Sequence, residues 1–351
     1  MSGVLAPAPP AGLDPSPSRP TFSIVISAYQ AAATVADAVR SALAQTYPAH
    51  EIVVVDDGST DDLAGALHAF TESIVLVRKE NGGGASALNA GTRAATGEFI
   101  AILDSDDTYH PRRLEVLARL AQDRPDLDLI TTDARFVVDG RAVGRFSAST
   151  PFEVTDQRRA IFRSCFVGGW PAVRLARIHA VGGFDESFRI GYDWDCWLRL
   201  ILDGCRAGLV DAPYYDYSLH PGSLSASRSA SLWERVRLLE KAAHSPALDP
   251  EEHPELLRQL RVHRSRAILA DTRRALESGS GRLALWRFAV SRQVALRVRV
   301  AAVLAAAAPS LARRIVPPDI PPEERFRDVE PEAGAPADSQ VTSYDRADPR
   351  P

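Results

Sequence analysis

An α/β fold with a mostly parallel sheet is what this sequence predicts, on three observations. Short apolar runs alternate with amphipathic segments from Thr21 onward, the order that builds a layered sheet with helices on its faces. Those runs are nearly continuous rather than alternating, as strands buried on both faces require. Their ends carry polar and acidic residues, and open α/β sheets bind ligands beyond the carboxyl ends of their strands.

The elements follow in order. "FSIVIS" is the first strand, and "AATVADAVRSALAQ" after it has helical spacing. "EIVVVDD" is the second strand, "TDDLAGALHAF" a helix and "SIVLVRK" the third strand. "GASALNAGTRAAT" is the next helix and "EFIAILD" the fourth strand. "HPRRLEVLARLAQ" is a helix with proline near its first turn, where a missing N–H costs nothing. "ARFVVDGRAVGRF" reads as a hairpin turning at Asp139-Gly140. Beyond Ser229 the composition turns helical, which suggests an appendage rather than a second catalytic domain.

Bulk properties bound the function. The chain has 351 residues, 45% of them hydrophobic, enough for a sizeable core. Its net charge of -4 argues against a nucleic-acid binder, whose domain is usually basic. Three cysteines without C-x-x-C spacing exclude a disulfide framework or a cysteine zinc site and suit a reducing compartment. The opening "MSGVLAPAPPAGLDPSPSRP" lacks a basic and apolar leader, and no apolar run reaches the roughly 18 residues that span a bilayer. The expectation is a cytoplasmic protein, free or peripheral to the inner face of the cell membrane.

The strand ends collect Ser27 and Tyr29, then Asp56 and Asp57, then Asp104, Asp106 and Asp107. Each alone reads equally as a turn or helix cap. Three strands delivering such groups to one edge point to a site. Asp104-Ser105-Asp106 is a D-x-D pair whose side chains point the same way in extended backbone. Hard oxygen ligands in that geometry suit Mg²⁺ or Mn²⁺ holding phosphate oxygens; the alternative is a solvated turn with Asp107 capping the next helix.

"SIVISAYQAAATVADAVRSALAQTYPAHEIVVVDDGSTDD", "NGGGASALNAGTRAATGEFIAILDSDD" and "GGFDESFRIGYDWDCWLRL" together resemble family 2 glycosyltransferases, over about Thr21 to Ser227. The resemblance implies inverting, metal-dependent enzymes of hexosyltransferase type on the GT-A fold, a Rossmann-like mixed sheet flanked by helices. It implies a nucleotide-diphosphate-sugar donor, with uridine or thymidine favoured, a divalent cation, and a glycan, lipid-linked or other hydroxyl acceptor in cell-envelope or polysaccharide assembly. Matched by position, Ser27 and Tyr29 line the nucleoside pocket, and Asp57, with Asp56, accepts from the base. Asp104 lies near ribose and metal, and Asp106 ligates the metal. Asp193 matches the aspartate that deprotonates the acceptor, with Asp195 its rival. Tyr192 stands where a glutamate usually precedes that aspartate, and Leu88 where an arginine is frequent, so either Arg93 or Lys79 takes the arginine's place or the donor preference differs. "YDYSLHPGSLSAS" resembles the stretch closing over the diphosphate, making His220 a metal or phosphate partner and Ser223 and Ser225 phosphate donors.

The domain expectation is a disordered lead-in over 1–20, a GT-A domain over 21–228, a helical extension over 229–317 and an acidic disordered tail over 318–351. In the extension, Leu283, Trp286, Val290, Val294 and Val298 form a stripe among arginines. Packing on the catalytic domain is favoured over binding an anionic membrane. Trp170 is expected to pack rather than to stack on a sugar. Two rivals remain: a nucleotide-sugar-binding module without turnover, and a haloacid-dehalogenase-like phosphatase. The second needs its D-x-D after the first strand and an acid-lysine set downstream; here the pair follows the fourth strand.

Overall fold

The computed structural model describes residues 3–5, 19–220 and 228–277. In chain order the elements are β1 (Gly3–Leu5), β2 (Phe22–Ala28), α1 (Val35–Leu43), β3 (Glu51–Asp56), α2 (Leu63–Leu67), β4 (Val75–Arg78) and α3 (Gly84–Ala94). Then come β5 (Phe99–Asp104), β6 (Thr108–Tyr109), α4 (Arg113–Asp123), β7 (Leu129–Val138), β8 (Arg141–Arg145), α5 (Phe146–Ser149) and α6 (Gln157–Ala160). The last are β9 (Ala172–Arg174), α7 (Leu175–Ala180), α8 (Tyr192–Leu202), β10 (Ala207–Ser218), α9 (Arg228–Ala242) and α10 (His253–Glu277).

Among the described residues the strands form one ten-stranded sheet whose main path runs β1-β10-β7-β9-β5-β2-β3-β4. β4, β3, β2 and β5 are parallel, β9 runs against both β5 and β7, and β10 lies parallel to β7. The sheet is therefore mixed, with its parallel half built from the repeated strand–helix units of the sequence. β8 returns along β7 through Asp139-Gly140, both at positive φ (48° and 75°), the backbone a two-residue hairpin turn demands.

β2 is the centre of this half. Phe22, Ile24, Val25 and Ile26 are wholly buried, so both faces of the strand are covered. One face packs with Val35, Ala38 and Val39 of α1 and Leu114 and Leu117 of α4. On the other, α3 comes so close that a methyl at Gly91 would lie 2.3 Å from Val25 Cγ1. Only a residue without a side chain permits that approach. β4 is the exception among the apolar runs: it is a sheet edge, and Val75 and Leu76 are exposed.

The described residues fall into two compact units that divide between Leu219 and His220. The first unit ends just after β10, whose last residue is Ser218 and which is the last strand of the sheet in chain order. In the second unit α9 and α10 pack on one another, burying Leu232, Val236, Leu239, Leu256 and Leu260. β1 pairs antiparallel with β10, Gly3 opposite Asp211. The arginine-flanked stripe from Leu283 and the acidic tail lie outside the described residues.

Candidate active site

Parallel register delivers the strand ends together. Ser27 on β2 sits opposite Val55 on β3 and Asp104 on β5, and Ala28 sits opposite Asp56. Tyr29, one residue on, is 53% exposed, which removes core packing as its role. The loop carrying it is laced to the loop after β3. Gln30, at φ 53°, donates its N–H to Ser59 Oγ (3.1 Å), and its Oε1 accepts from Thr60 N–H (2.8 Å) and Asp61 N–H (3.1 Å). Ala32 N–H donates to Asp61 Oδ2 (2.8 Å). Tyr29 is thus held at the mouth by a rigid pair of loops.

Asp56 and Asp57 are both buried, and protein donors occupy both. Asp56 accepts from Ser59 N–H (2.8 Å) and pairs with Arg78 Nε (3.3 Å). Asp57 accepts from Lys79 Nζ (2.6 Å), Gly82 N–H (3.0 Å) and Gly83 N–H (2.7 Å). Their first task is to shape the loop from Lys79 to Gly83 that opens α3. Lys79 is committed there by its pair with Asp57, and Leu88 is buried in the core.

The acids of the fourth strand behave differently. Asp104 is pushed up to about 7, by burial first and then by the charges of Asp106 and Asp193. Asp193, distant in sequence, therefore lies within electrostatic reach of the D-x-D pair. Tyr192 joins the same group: burial and the nearby Asp104 and Asp193 push its phenol well above the usual value, so it stays protonated. Its hydroxyl lies over the start of α3, where a methyl at Gly84 would come within 2.4 Å of it.

Asp107 does not cap α4, whose first residue is preceded by Arg112 with no side-chain cap. It is buried and accepts from Tyr215 Oη (2.7 Å) and Ser218 N–H (2.7 Å), stitching the acid turn to the end of β10. Asp104 N–H approaches the same Tyr215 hydroxyl at 3.3 Å. Burial and the charges of Asp104 and Asp106 raise Asp107 well above the ordinary range.

Helix α8 supplies the other side. Asp193 and Asp195 share its first turn, where the helix dipole favours negative charge. Asp195 is buried and accepts from Arg199 Nε at 2.8 Å, and Arg199 also donates to the carbonyls of Val181 and Gly183. That carboxylate has a structural partner. Asp193 faces Gly169, where a methyl would stand 3.2 Å from Oδ2 and meet nothing else within 4 Å. The tripeptide Gly168-Gly169-Trp170 is fixed from both sides. Trp197 of α8 donates to Gly168 O (3.0 Å), and Trp170 donates to Thr132 O (2.9 Å) while stacking on Tyr215 (4.9 Å). Trp170 is a packing residue, as the sequence suggested.

His220 is exposed, and Ser223 and Ser225 lie outside the described residues, so this stretch adds no geometry to the cluster. Sequence reasoning missed three participants: Arg113, Tyr215 and Asn89. Asn89 latches α3 to the loop before α8, donating to Phe184 O (2.8 Å) and Glu186 Oε1 (2.9 Å) and accepting from Phe184 N–H (2.8 Å). The available signal was an amide among the alanines of a helix, a polar group that burial obliges to find partners.

Residues 23–175 match the family model described as Glycosyl transferase family 2. The chain is 34% identical over 238 residues to the succinoglycan biosynthesis protein ExoU of Rhizobium meliloti, covering 62% of this chain and 68% of that one. It is 30% identical over 210 residues to an uncharacterized glycosyltransferase of Rickettsia typhi, over 57% of this chain and 62% of that one. The chain thus spans less than two thirds of the Rickettsia relatives it matches. Among solved structures, S. aureus TarS 1–349 in complex with UDP-GlcNAc superposes with a TM-score of 0.58 at 21% identity, over 92% of this chain and all of that one. The Pyrobaculum calidifontis mannosyltransferase PcManGT, in complex with GDP-Man and Mn²⁺, gives 0.54 at 22% identity, over 87% and 91%. At these identities the likeness is one of fold, and the fold is GT-A.

Proposed function

This chain belongs to glycosyl transferase family 2, and from that premise we propose that it transfers a sugar from a nucleotide-diphosphate donor to an acceptor hydroxyl with inversion. The carrying observation is the convergence of Asp104, Asp106 and Asp193, two from a strand end and one from a helix start. Uridine or thymidine diphosphate donors are the favoured class, and relatives named for succinoglycan biosynthesis support a glycan acceptor.

The donor half of the reading uses the exposed ring of Tyr29 against the base and Ser27 at the pocket floor. Asp56 and Asp57 act mainly through the loop they hold. The fit of a divalent cation rests on the donor chemistry: hard carboxylate oxygens crowd together, and their repulsion is what a cation relieves. Among the described residues no group of three or more His, Cys, Asp or Glu is arranged to hold a metal alone. Asp106 and Asp104 would hold Mn²⁺ or Mg²⁺ together with diphosphate oxygens and water, the usual arrangement for such ions. When bound, the ion supplies electrostatic stabilisation of the departing diphosphate.

The chain's own step is proton removal. Asp193 takes the acceptor hydroxyl proton as that oxygen attacks the anomeric carbon opposite the nucleotide. Asp193 lies in the first turn of α8, at the positive end of the helix dipole. Asp195 is a poor rival because Arg199 holds it. Tyr192 stays neutral and offers a hydroxyl among the acids. No described helix is long and apolar enough to cross a membrane.

The test is Asp193→Asn. Turnover of nucleotide sugars by the purified protein should fall at least about a hundredfold, the usual worth of a general base, with nucleotide affinity kept. Product anomers read by NMR should be inverted for the wild type. Near-normal turnover by the variant removes the base assignment. Nucleotide binding without any transfer or hydrolysis by the wild type would favour the binding-module reading.

A further inference from the structure

A guanidinium is costly to place in a protein interior, yet Arg113 on α4 has no exposed surface. Among the described residues its partners are all neutral. It donates to Thr132 Oγ1 and to the carbonyl of Trp170, and stacks on the rings of Tyr109 (4.6 Å) and Tyr215 (5.1 Å). Its Nε has no hydrogen-bond partner. An orphaned buried donor is destabilising, and an apolar side chain of similar volume would avoid that cost. Stability alone does not account for an arginine here.

What the guanidinium joins is informative. On one side its partner Tyr215 donates to Asp107 and receives the N–H of Asp104, so it grips the acid turn. On the other side its partner is the Trp170 carbonyl, one residue from Gly169, which abuts Asp193. Trp170 closes the bridge by stacking on Tyr215 with an interplanar angle of 23°. The two halves of the candidate site come from segments far apart in sequence, and this cation is bonded to elements of both.

We propose that Arg113 is a positioning residue that fixes the distance between the acid turn Asp104–Asp107 and Asp193, setting turnover without touching substrate. The proposal rests on the reading of those carboxylates as the donor and base sides of a glycosyltransferase. A planar fork can hold two acceptors and two rings at once; an ammonium cannot. Misplacing reacting groups by about 1 Å costs on the order of a hundredfold in rate.

The experiment uses the full chain, Mn²⁺ and a nucleotide-sugar donor identified by wild-type turnover. Calorimetric titration with the matching nucleoside diphosphate counts binding sites in every sample. Turnover per binding site should fall about thirtyfold or more in Arg113→Met and about tenfold in Arg113→Lys, with donor KM within about twofold of wild type. Tyr215→Phe keeps the ring stack but loses the hydroxyl, and should fall about tenfold. The Arg113→Met/Tyr215→Phe pair should be no worse than Arg113→Met alone, because both act through one bridge. If Arg113→Met does not fold, Tyr215→Phe and Arg113→Lys carry the test. A purely structural role would lower the site count and leave turnover per site unchanged, which overturns the proposal, as would multiplicative effects in the double variant. A wild type that binds nucleotide but turns over no donor overturns the functional reading and this proposal with it; normal wild-type turnover with unimpaired variants overturns this proposal alone.

Discussion

The two ends of the parallel strands carry acids in opposite circumstances. At the amino end, Glu51 starts β3 and one of its oxygens accepts from Ser23 Oγ (2.7 Å), Thr96 N–H (2.6 Å) and Thr96 Oγ1 (2.7 Å). Burial pushes that carboxyl up, but these hydrogen bonds outweigh it and leave it below its ordinary 4.5. At the carboxyl end, Asp104 finishes β5 beside Asp106 and Asp193 and is pushed up to about 7. The first acid is satisfied by the fold and works as structure. The second is left repelled by its neighbours, an arrangement the fold tolerates at a stability cost and that function explains.

Removing the repelled acid gives the sharpest break. Asp104→Asn should lower transfer at least about a hundredfold, the scale of losing one electrostatic stabiliser, yet stabilise the ligand-free protein. The sign follows from linkage. An aspartate raised in the folded state gives most stability below its ordinary 3.8 and loses it as pH climbs toward about 7, because the unfolded chain ionises first. Asparagine has no such loss. The difference in Tm, variant minus wild type, should grow between about pH 4 and pH 7 and level off above. Mn²⁺ with nucleoside diphosphate should raise the wild-type Tm and not the variant's, and chelation should cancel that rise. Equal Tm profiles would mean that Asp104 is not repelled.

The same contrast explains what was legible. Near-continuous apolar runs at the parallel strands, the helices between them, the Asp139-Gly140 turn and the acids at the strand ends are local patterns, and each stands where the spacing put it. Asp193 was singled out by the family resemblance of "GGFDESFRIGYDWDCWLRL", and it lies in the first turn of α8. Arg113 was invisible for the opposite reason. In "HPRRLEVL" two adjacent arginines look alike, and only tertiary packing sends one into the aromatic layer of Tyr109 and Tyr215 while Arg112 pairs with Glu115. The task of Asp57 was also hidden, since its partners Lys79, Gly82 and Gly83 come from the far side of β4. The insertion of β9 between β5 and β7 cannot be read from three residues, Ala172–Arg174, that carry no period of their own.

A milder probe acts on the base side without changing any charge. Gly169→Ala adds a methyl 3.2 Å from Asp193 Oδ2, tighter than ordinary contact, in space that is otherwise open. The methyl crowds the approach of an acceptor to the base and leaves the strand-end loops alone. Transfer should fall about tenfold, by misplacing the acceptor a fraction of an ångström, while nucleoside-diphosphate affinity by calorimetry stays at the wild-type value. Unchanged transfer would mean that the acceptor does not enter beside Gly169.

The smallest effect belongs to the satisfied acid. Glu51→Gln keeps the oxygen that accepts from Ser23 and Thr96 and removes only the charge. Charge assistance in hydrogen bonds partly open to water is worth about 1 kcal/mol, so the variant should melt slightly lower at pH 7 with transfer unaltered. A carboxyl held below its ordinary 4.5 contributes stability above that value and loses it as pH falls through the lowered one. The variant-minus-wild-type Tm should therefore be negative at pH 7 and rise toward zero on acidification, whereas for Asp104→Asn it is positive at pH 7 and falls toward zero. Opposite slopes from two acids on parallel strands that flank β2 would separate the structural end of the sheet from the reactive one. Parallel slopes would mean that the two ends do not differ in the way their hydrogen bonds imply.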